Sequence, residues 1–469
     1  MISIVQLDVM SLSLNKVKMF YRSIITLTYL CLMGILCFIV TSPLILLSLL
    51  YKALTSTQTK DDKSKPCVVI FAASKSKALH HIRLFKDSGY RTVAVGSDYH
   101  LTCGSGWSIY CDKYYTITAP LCEDTTKRYI NDAVEIVMRE QADVMMQIEP
   151  RFTIPADVKV NEILGKQIPT CTILAFTPET YACFDNKVTF NKKLHELGIP
   201  APQSKIMKSN KELLEYISDQ PDKTFILKPL EYVPELRVNI EIPKDAKKLE
   251  KFLDSKKISE ERQFIVQEKL IGPESSSCTL VVDSRVIAYN LSDQSVDRMW
   301  MNSVERPQVD AWVKDFLEKF DEPLTGFLTF DHMFSSVDGQ SYPLECNPRV
   351  HTNTMLFQRG DNVISEFTKH LADKTYTCQV IKPRRKETYW LLREIALILQ
   401  SIIKFDMGVA VERIGVVVRG NEAVFEWLDP LPFLVLNFVQ IPGRIVANLF
   451  GRQLIWNQVD YMCGNPLIN

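Results

Sequence analysis

The stretch YPLECNPRVHTNTM, Tyr342 to Met355, sets Glu345 and Asn347 two residues apart, breaks at Pro348, and then adds Arg349 and His351. Residues at i and i+2 of a strand point to the same face. Two oxygen-bearing side chains on one face of an apolar run are poor core residues unless something satisfies them. A hard cation does so, because Mg2+ takes oxygen ligands and keeps its other positions for water and phosphate. The run TGFLTFDHMF, Thr325 to Phe334, reads as the partner strand of a hairpin turning at Asp338-Gly339, and it supplies Asp331. Residues paired across an antiparallel hairpin keep a constant index sum. Asp331 shares a face with Glu345 or Asn347 only if that sum is even, whereas a two-residue turn at Asp338-Gly339 makes it odd. A metal site here therefore requires an odd-length loop or a bulge. The competing reading, three solvent-facing residues of an edge hairpin, is weakened by Leu344 and the bulk of GFLTF.

Working upstream, Lys228 closes the apolar strand TFIL and precedes Pro229. A lysine at a strand end among apolar neighbours serves as a point-charge ligand for phosphate, although solvated terminal lysines are commoner. Lys187, in FDNKVTF, carries less weight. The segment VQEKLIGPE contributes Gln267, Glu268, Lys269, Leu270 and Glu274. At a sheet edge its backbone could hold an adenine, with Glu268 or Glu274 on ribose hydroxyls.

A chain of 469 residues has room for two or three domains. Its 55 Lys plus Arg balance 55 Asp plus Glu, so no basic excess points to nucleic acid. Twelve cysteines without C-x-x-C spacing read as reduced thiols, neither a disulfide framework nor a zinc site. Asn290-Leu291-Ser292 matches a glycosylation acceptor, a triplet common by chance.

The run from Ile24 to Tyr51 contains no charged residue and exceeds the roughly 20 residues that cross a bilayer. It is too long for a signal peptide, and no small-residue cleavage site follows. Pro43 divides it, so a kinked span and a shallow hairpin both remain open. Lysines and arginines lie on both sides, which leaves its orientation open. Beyond the polar linker, CVVIFAA, KSKALHHIRLFKDSGY and RTVAVGSD form a βαβ opening. The turn Ala72 to Lys77 lacks G-x-G-x-x-G, which removes support for a Rossmann dinucleotide site. A later strand-like segment, ADVMMQIEP, ends in Glu149, where ligands of open α/β sheets sit. The expected division is a tail at 1–23, an anchor or hairpin at 24–51, a linker at 52–65 and an α/β domain at 66–177. Two subdomains at 178–268 and 269–376 follow, then an apolar C-terminal subdomain at 377–469. The segments YWLLREIALILQSII and DPLPFLVLNFVQIPGRIVANLF read either as packing on the core or as an interfacial membrane patch.

The ordered set Lys187, Lys228-Pro229, Gln267-Glu268-Lys269-Leu270, Glu274, Asp331 and Glu345-x-Asn347 resembles the landmarks of the ATP-grasp superfamily. The resemblance implies an α/β plus α+β protein: an ATP-grasp fold behind a pre-ATP-grasp α/β domain, here preceded by an apolar membrane-anchor segment. It implies that Lys187 and Lys228 contact ATP phosphates, and that Gln267 to Leu270 form the adenine hinge with Glu274 near the ribose. Asp331, Glu345 and Asn347 would hold Mg2+, or Mn2+ in its place. The segments PLECNPRVHTNTMLF, RPQVDAWV, TYWLLREI and DPLPFLVL are similar to the ATP-grasp ligases of mycosporine biosynthesis, which join glycine to 4-deoxygadusol. That likeness implies an ATP-dependent C–N ligase whose partners are ATP, a small acceptor and an amino acid. It is expected to be membrane-associated with its catalytic part facing the cytoplasm, and a homodimer is one assembly open to it. Two departures stand out. No glycine lies between Gly198 and Gly272, where many members carry a glycine-rich lid, and Arg237 stands in that stretch instead. Thr329 occupies a place where several members carry a catalytic arginine, leaving Arg349 or Arg237 as candidates for that role. Arg349 is also a candidate for an anionic substrate group, and His351 for proton transfer or for a structural hydrogen bond. A carboxylate–amine ligase on another substrate, and a silent ATP-binding scaffold, are the alternatives.

Overall fold

The computed structural model describes residues 24–25, 27–50, 63–98, 103–148, 153–229, 240–295, 299–384 and 387–449. Arg237 and Glu149 lie outside them.

The opening βαβ segment builds a parallel sheet in the order β3-β2-β1-β4-β5. Its strands are β1 (Cys67–Phe71), β2 (Arg91–Ser97), β3 (Lys113–Ile117), β4 (Val144–Gln147) and β5 (Thr172–Leu174). The central strand β1 is buried on both faces, which is why CVVIF reads as a continuous apolar run. Four strands, β6 (Ser204–Met207), β7 (Phe225–Pro229), β8 (Ile240–Glu241) and β9 (Phe264–Glu268), form a second sheet in the order β6-β9-β7-β8. A third sheet runs β14-β13-β10-β11-β12-β15-β16. It comprises β10 (Glu274–Val282), β11 (Arg285–Gln294), β12 (Trp300–Ser303), β13 (Gly326–Phe334), β14 (Ser341–Asn347), β15 (Glu387–Tyr389) and β16 (Asn421–Glu422).

Helices Pro178–Asp185 and Lys187–Glu196 are separated by Asn186, whose side chain caps the second by accepting from the Val188 and Thr189 amides. Their Phe184 and Phe190 pack with Trp312 and Phe316 of helix Pro307–Lys319 and with Leu328 and Phe330 of β13. This places Lys187, at the start of the second helix, beside β14. Between β9 and β10, a Cβ on Gly272 would meet the Phe334 carbonyl oxygen at 1.7 Å, so only glycine fits. Ser336 N donates to Ile271 O at 2.8 Å and Phe334 N to Pro273 O at 3.1 Å, tying the hairpin loop to this connection.

The C-terminal segments fold onto this body. Arg83, on helix Ser76–Asp87, donates to Asp429 Oδ2 at 2.8 and 3.1 Å and to Val424 O at 2.8 Å. Ser108 Oγ and the Ile109 amide also donate to the Asp429 carboxylate, at 2.7 and 2.9 Å. Asp429, the first residue of DPLPFLVL, is thus a fully buried bolt between two parts of the chain. Helix Leu27–Leu50 is long and apolar enough to cross a membrane. Asn290 of the glycosylation triplet is buried and bonded to Ser303 Oγ at 2.9 Å, which removes it as an acceptor.

Candidate active site

The hairpin β13–β14 does not turn in two residues at Asp338-Gly339; its loop spans Ser335 to Gln340. From the turn, Phe334 pairs with Ser341, Met333 with Tyr342 and His332 with Pro343. That register alone would set Asp331 opposite Leu344 and turn Glu345 towards the buried Phe330. A bulge intervenes: Leu344 is the extra residue, and Asp331 pairs with Glu345, Phe330 with Cys346 and Thr329 with Asn347. Asp331, Glu345 and Asn347 thereby share one face while Cys346 goes into the aromatic core. The parity that a metal site demands is met by the bulge.

On the other side of β13, Ser276 of β10 pairs with Asp331, and its hydroxyl donates to Asp331 Oδ1. Gln294 Nε2 in turn donates to Ser276 Oγ at 2.9 Å. Asn347 Nδ2 faces Glu345 Oε1 at 3.4 Å. Two carboxylates and an amide thus stand side by side on one sheet face, the amide with its nitrogen towards Glu345 and its oxygen towards Arg349. Such a set fits a hard divalent cation and fits no soft metal.

Lys187 Nζ sits 2.7 Å from Glu345 Oε2, whose side chain is 23% exposed. Burial alone would raise the Glu345 carboxyl. The Lys187 ammonium, Asp331 and Lys228 outweigh it and hold Glu345 well below the ordinary carboxylate range. Lys228, only 8% exposed, donates to Gln267 Oε1 at 2.6 Å on the adjacent β9. Its ammonium is pulled down to about 8, first by burial and then by Lys187, against the opposing pull of Glu345, Glu274 and Asp331. Lys187, Lys228, Gln267, Pro343 and Leu344 line one cleft between the second and third sheets. Lys228 from the second sheet and Lys187 from the head of a helix thus bring two positive charges towards the two carboxylates of the third sheet.

The remaining hinge residues are placed less centrally. Glu268 is paired with Lys223 at 3.2 Å, and its amide donates to Gln203 O. Lys269 pairs with Glu241, and its amide donates to Thr224 O at 2.7 Å. Leu270 is half-buried on the connection towards Gly272, and Glu274 is exposed at the start of β10.

Arg349 has a specific place. Its guanidinium donates to Asp185 Oδ1 at 2.6 Å and to Asn347 Oδ1 at 2.5 Å. It therefore clamps the amide of Asn347 to the helix that precedes Lys187. Thr329 is buried opposite Asn347, and among the described residues Arg349 brings a guanidinium onto Asn347. His351 is buried below the strand end with Nδ1 3.2 Å from Asn353 Oδ1, and Asn353 Nδ2 donates to Ser276 O at 3.0 Å. Reading the sequence missed Asp185, which holds Arg349, Ser276, which bonds to Asp331, and Gln294, which bonds to Ser276. It also passed over Lys77, buried at the first βα turn and donating to Val350 O at 2.8 Å. The available signal was SKSK, two lysines at the head of a helix whose next residues are apolar.

No protein-family model matches the chain, and no curated protein matches it in sequence. Among solved structures, the ADP complex of N5-carboxyaminoimidazole ribonucleotide synthetase superposes over 72% of this chain and 85% of that one, with TM-score 0.51 and 14% identity. Phosphoribosylamine–glycine ligase from Thermotoga maritima covers 68% of this chain and 78% of its own, with TM-score 0.48 and 14% identity. The likeness of fold rests on the first of these. The chain shares the fold of that synthetase.

Proposed function

We propose that this chain is an ATP- and Mg2+-dependent ligase that forms a C–N bond between an amino acid and a phosphate-activated small acceptor. The observation that carries this reading is the bulge at Leu344, which sets Asp331 opposite Glu345, with Glu345 paired to Lys187 at the edge of a cleft that Lys187, Lys228 and Leu344 line. Asp331, Glu345 and Asn347 are the residues that would hold Mg2+, which when bound neutralises charge on the transferring phosphoryl group. Lys228 and Lys187 bind and orient the phosphates. The γ-phosphorus–oxygen bond to ADP breaks as a bond to an acceptor oxygen forms. The amine nitrogen then adds to the activated carbon, its proton leaves, and phosphate departs with the acceptor oxygen. Arg349 keeps Asn347 in place through Asp185, which makes it a positioning residue.

The finer reading takes glycine as the amine and 4-deoxygadusol as the acceptor, phosphorylated on its enol oxygen, with mycosporine-glycine as product. It rests on the segments PLECNPRVHTNTMLF, RPQVDAWV, TYWLLREI and DPLPFLVL. A carboxylate acceptor passing through an acyl phosphate is the second reading. Helix Leu27–Leu50 is read as the element that attaches the enzyme to a membrane.

The test is phosphate release by the full chain in detergent with ATP, Mg2+, glycine and 4-deoxygadusol, with an Asp331→Asn/Glu345→Gln double variant as blank. Release requiring both substrates, with mycosporine-glycine detected by mass, is the expected result. Release dependent on a different acid and amine would discard the substrate and keep the ligase. No release with any pair, despite ATP binding, would sink the ligase reading.

A further inference from the structure

Helix Leu27–Leu50 is not a free-standing rod. Leu30, Thr41 and Ser48 are buried, and a Cβ on Gly34 would lie 3.1 Å from the Phe438 ring. Leu27, Met33, Cys37 and Ile45 join the same cluster with Phe433, Leu434, Leu436, Ile441 and Ile445. These positions recur every three or four residues, so one stripe of the helix docks on the C-terminal subdomain along most of its length. Tyr29 Oη fixes it further by donating to Leu392 O at 2.7 Å. The opposite face leaves Leu32, Ile35, Phe38, Ile39 and Leu46 exposed. Whatever covers that face is therefore brought to the C-terminal subdomain too.

Leu392 lies in the first turn of a helical hairpin, Leu391–Ile403 and Met407–Arg419, joined by Lys404, Phe405 and Asp406. Its tip is unlike an ordinary soluble turn. Ile403 is 76% exposed and Phe405 90%, with Ile402 and Met407 exposed on either side. Phe405 has φ of +59°, a left-handed conformation that favours glycine or asparagine at a helix end. A bulky aromatic residue stands at a position whose backbone disfavours it, and among the described residues it packs on almost nothing. Val411, Ile414 and Val418 extend the exposed apolar surface along the second helix. Lys404, beside Phe405, adds a cation at the tip, the kind of side chain that pairs with lipid headgroups while its stem lies along apolar surface.

We infer that the tip of this hairpin, centred on Ile403 and Phe405, is a second membrane-inserted element that enters the same bilayer as helix Leu27–Leu50. The inference rests on the membrane reading of that helix, and the occupant is the lipid bilayer because the two apolar surfaces belong to one packed subdomain. The subdomain grows from β15, five strands away from β14 in the third sheet. At about 4.8 Å per strand, roughly 24 Å of sheet separates the acidic pair from the membrane-side edge.

The test places a photoreactive benzoylphenylalanine in the full chain, reconstituted in phosphatidylcholine–phosphatidylglycerol vesicles. Phe405→benzoylphenylalanine is the probe, Phe38→benzoylphenylalanine the reference on the helix, and Val337→benzoylphenylalanine the reference on a remote exposed loop. Each replaces a well-exposed side chain, so the fold is undisturbed. The expected result is lipid adducts at position 405 within about threefold of those at position 38, with none at position 337. Adducts at 38 alone would overturn the inference, as would adducts at 405 that join two copies of the chain. Absence of lipid adducts at both 38 and 405 would overturn the membrane reading along with it, and ATP turnover would report separately on the ligase.

Discussion

Asp331 and Glu345 face each other directly across the β13–β14 hairpin because Leu344 is an unpaired extra residue in β14. Two carboxylates so placed repel unless cations stand nearby, and Lys187 at 2.7 Å supplies one. Glu345→Gln removes the anion that Lys187 and Lys228 share while leaving shape and volume intact. Its turnover with Mg2+ and ATP is expected to fall at least about 100-fold, with little change in thermal stability. Steady-state phosphate release measures this, and a loss of less than threefold would remove Glu345 from the site.

Lys228 trades stability for function. Its ordinary value of 10.5 falls to about 8 in the folded chain, chiefly through burial. Below pH 8 the folded state therefore holds a charged ammonium at a cost of about 3 kcal/mol, and that cost fades as pH rises from 8 to 10.5. Lys228→Met is expected to raise the thermal midpoint at pH 7 and to abolish ATP turnover. An unchanged or lowered midpoint would mean that the bond to Gln267 outweighs the burial cost.

The same group sets a pH dependence. In the free enzyme Lys228 loses its proton as pH passes through about 8, and with it the charge that attracts phosphate. The value of kcat/KM for ATP is expected to decline above pH 8 with unit slope. Lys228→Arg, always charged, should flatten that limb while lowering the plateau. A limb that persists unchanged in Lys228→Arg would assign the titration to another group.

Arg349 bridges Asp185 and Asn347, so its contribution should run through Asn347. Arg349→Lys, which has no planar fork, is expected to cost about 10- to 100-fold in kcat. Adding Asn347→Ala should then cost much less than it does alone, because the two act as one unit. Fully multiplicative losses, with KM for the acceptor raised by Arg349→Lys alone, would instead put the guanidinium on the substrate.

Asp429 accepts from Arg83, Ser108 and the Ile109 amide at a fully buried position. Asp429→Ala leaves Arg83 charged and unpaired, and is expected to destabilise the fold by about 3–5 kcal/mol. The double variant Arg83→Met/Asp429→Leu should recover much of that loss. Urea unfolding followed by tryptophan fluorescence reads both, and an unaffected Asp429→Ala would show that the C-terminal subdomain is held by its apolar contacts alone.

The sequence by itself determined the periodic features. CVVIF, TFILKP and GFLTF are strands because their apolar runs fit sheets with covered faces, and the amphipathic stretch Pro307–Lys319 is a helix for the same reason. The spacing of Glu345 and Asn347, and the need for a bulge or an odd loop, were also legible, because side-chain direction along a strand follows from a period of two. Only the tertiary structure decided which device supplied the parity, since a bulge at Leu344 depends on Cys346 and Phe330 finding an aromatic core built from three other segments. It alone decided that Lys228 is buried against Gln267, that Arg349 reaches Asp185, and that Asp429 of an apolar-looking segment locks onto Arg83. Those contacts join residues between 39 and 346 positions apart. No local periodicity encodes such distances; they are set by how the sheets and helices close on one another.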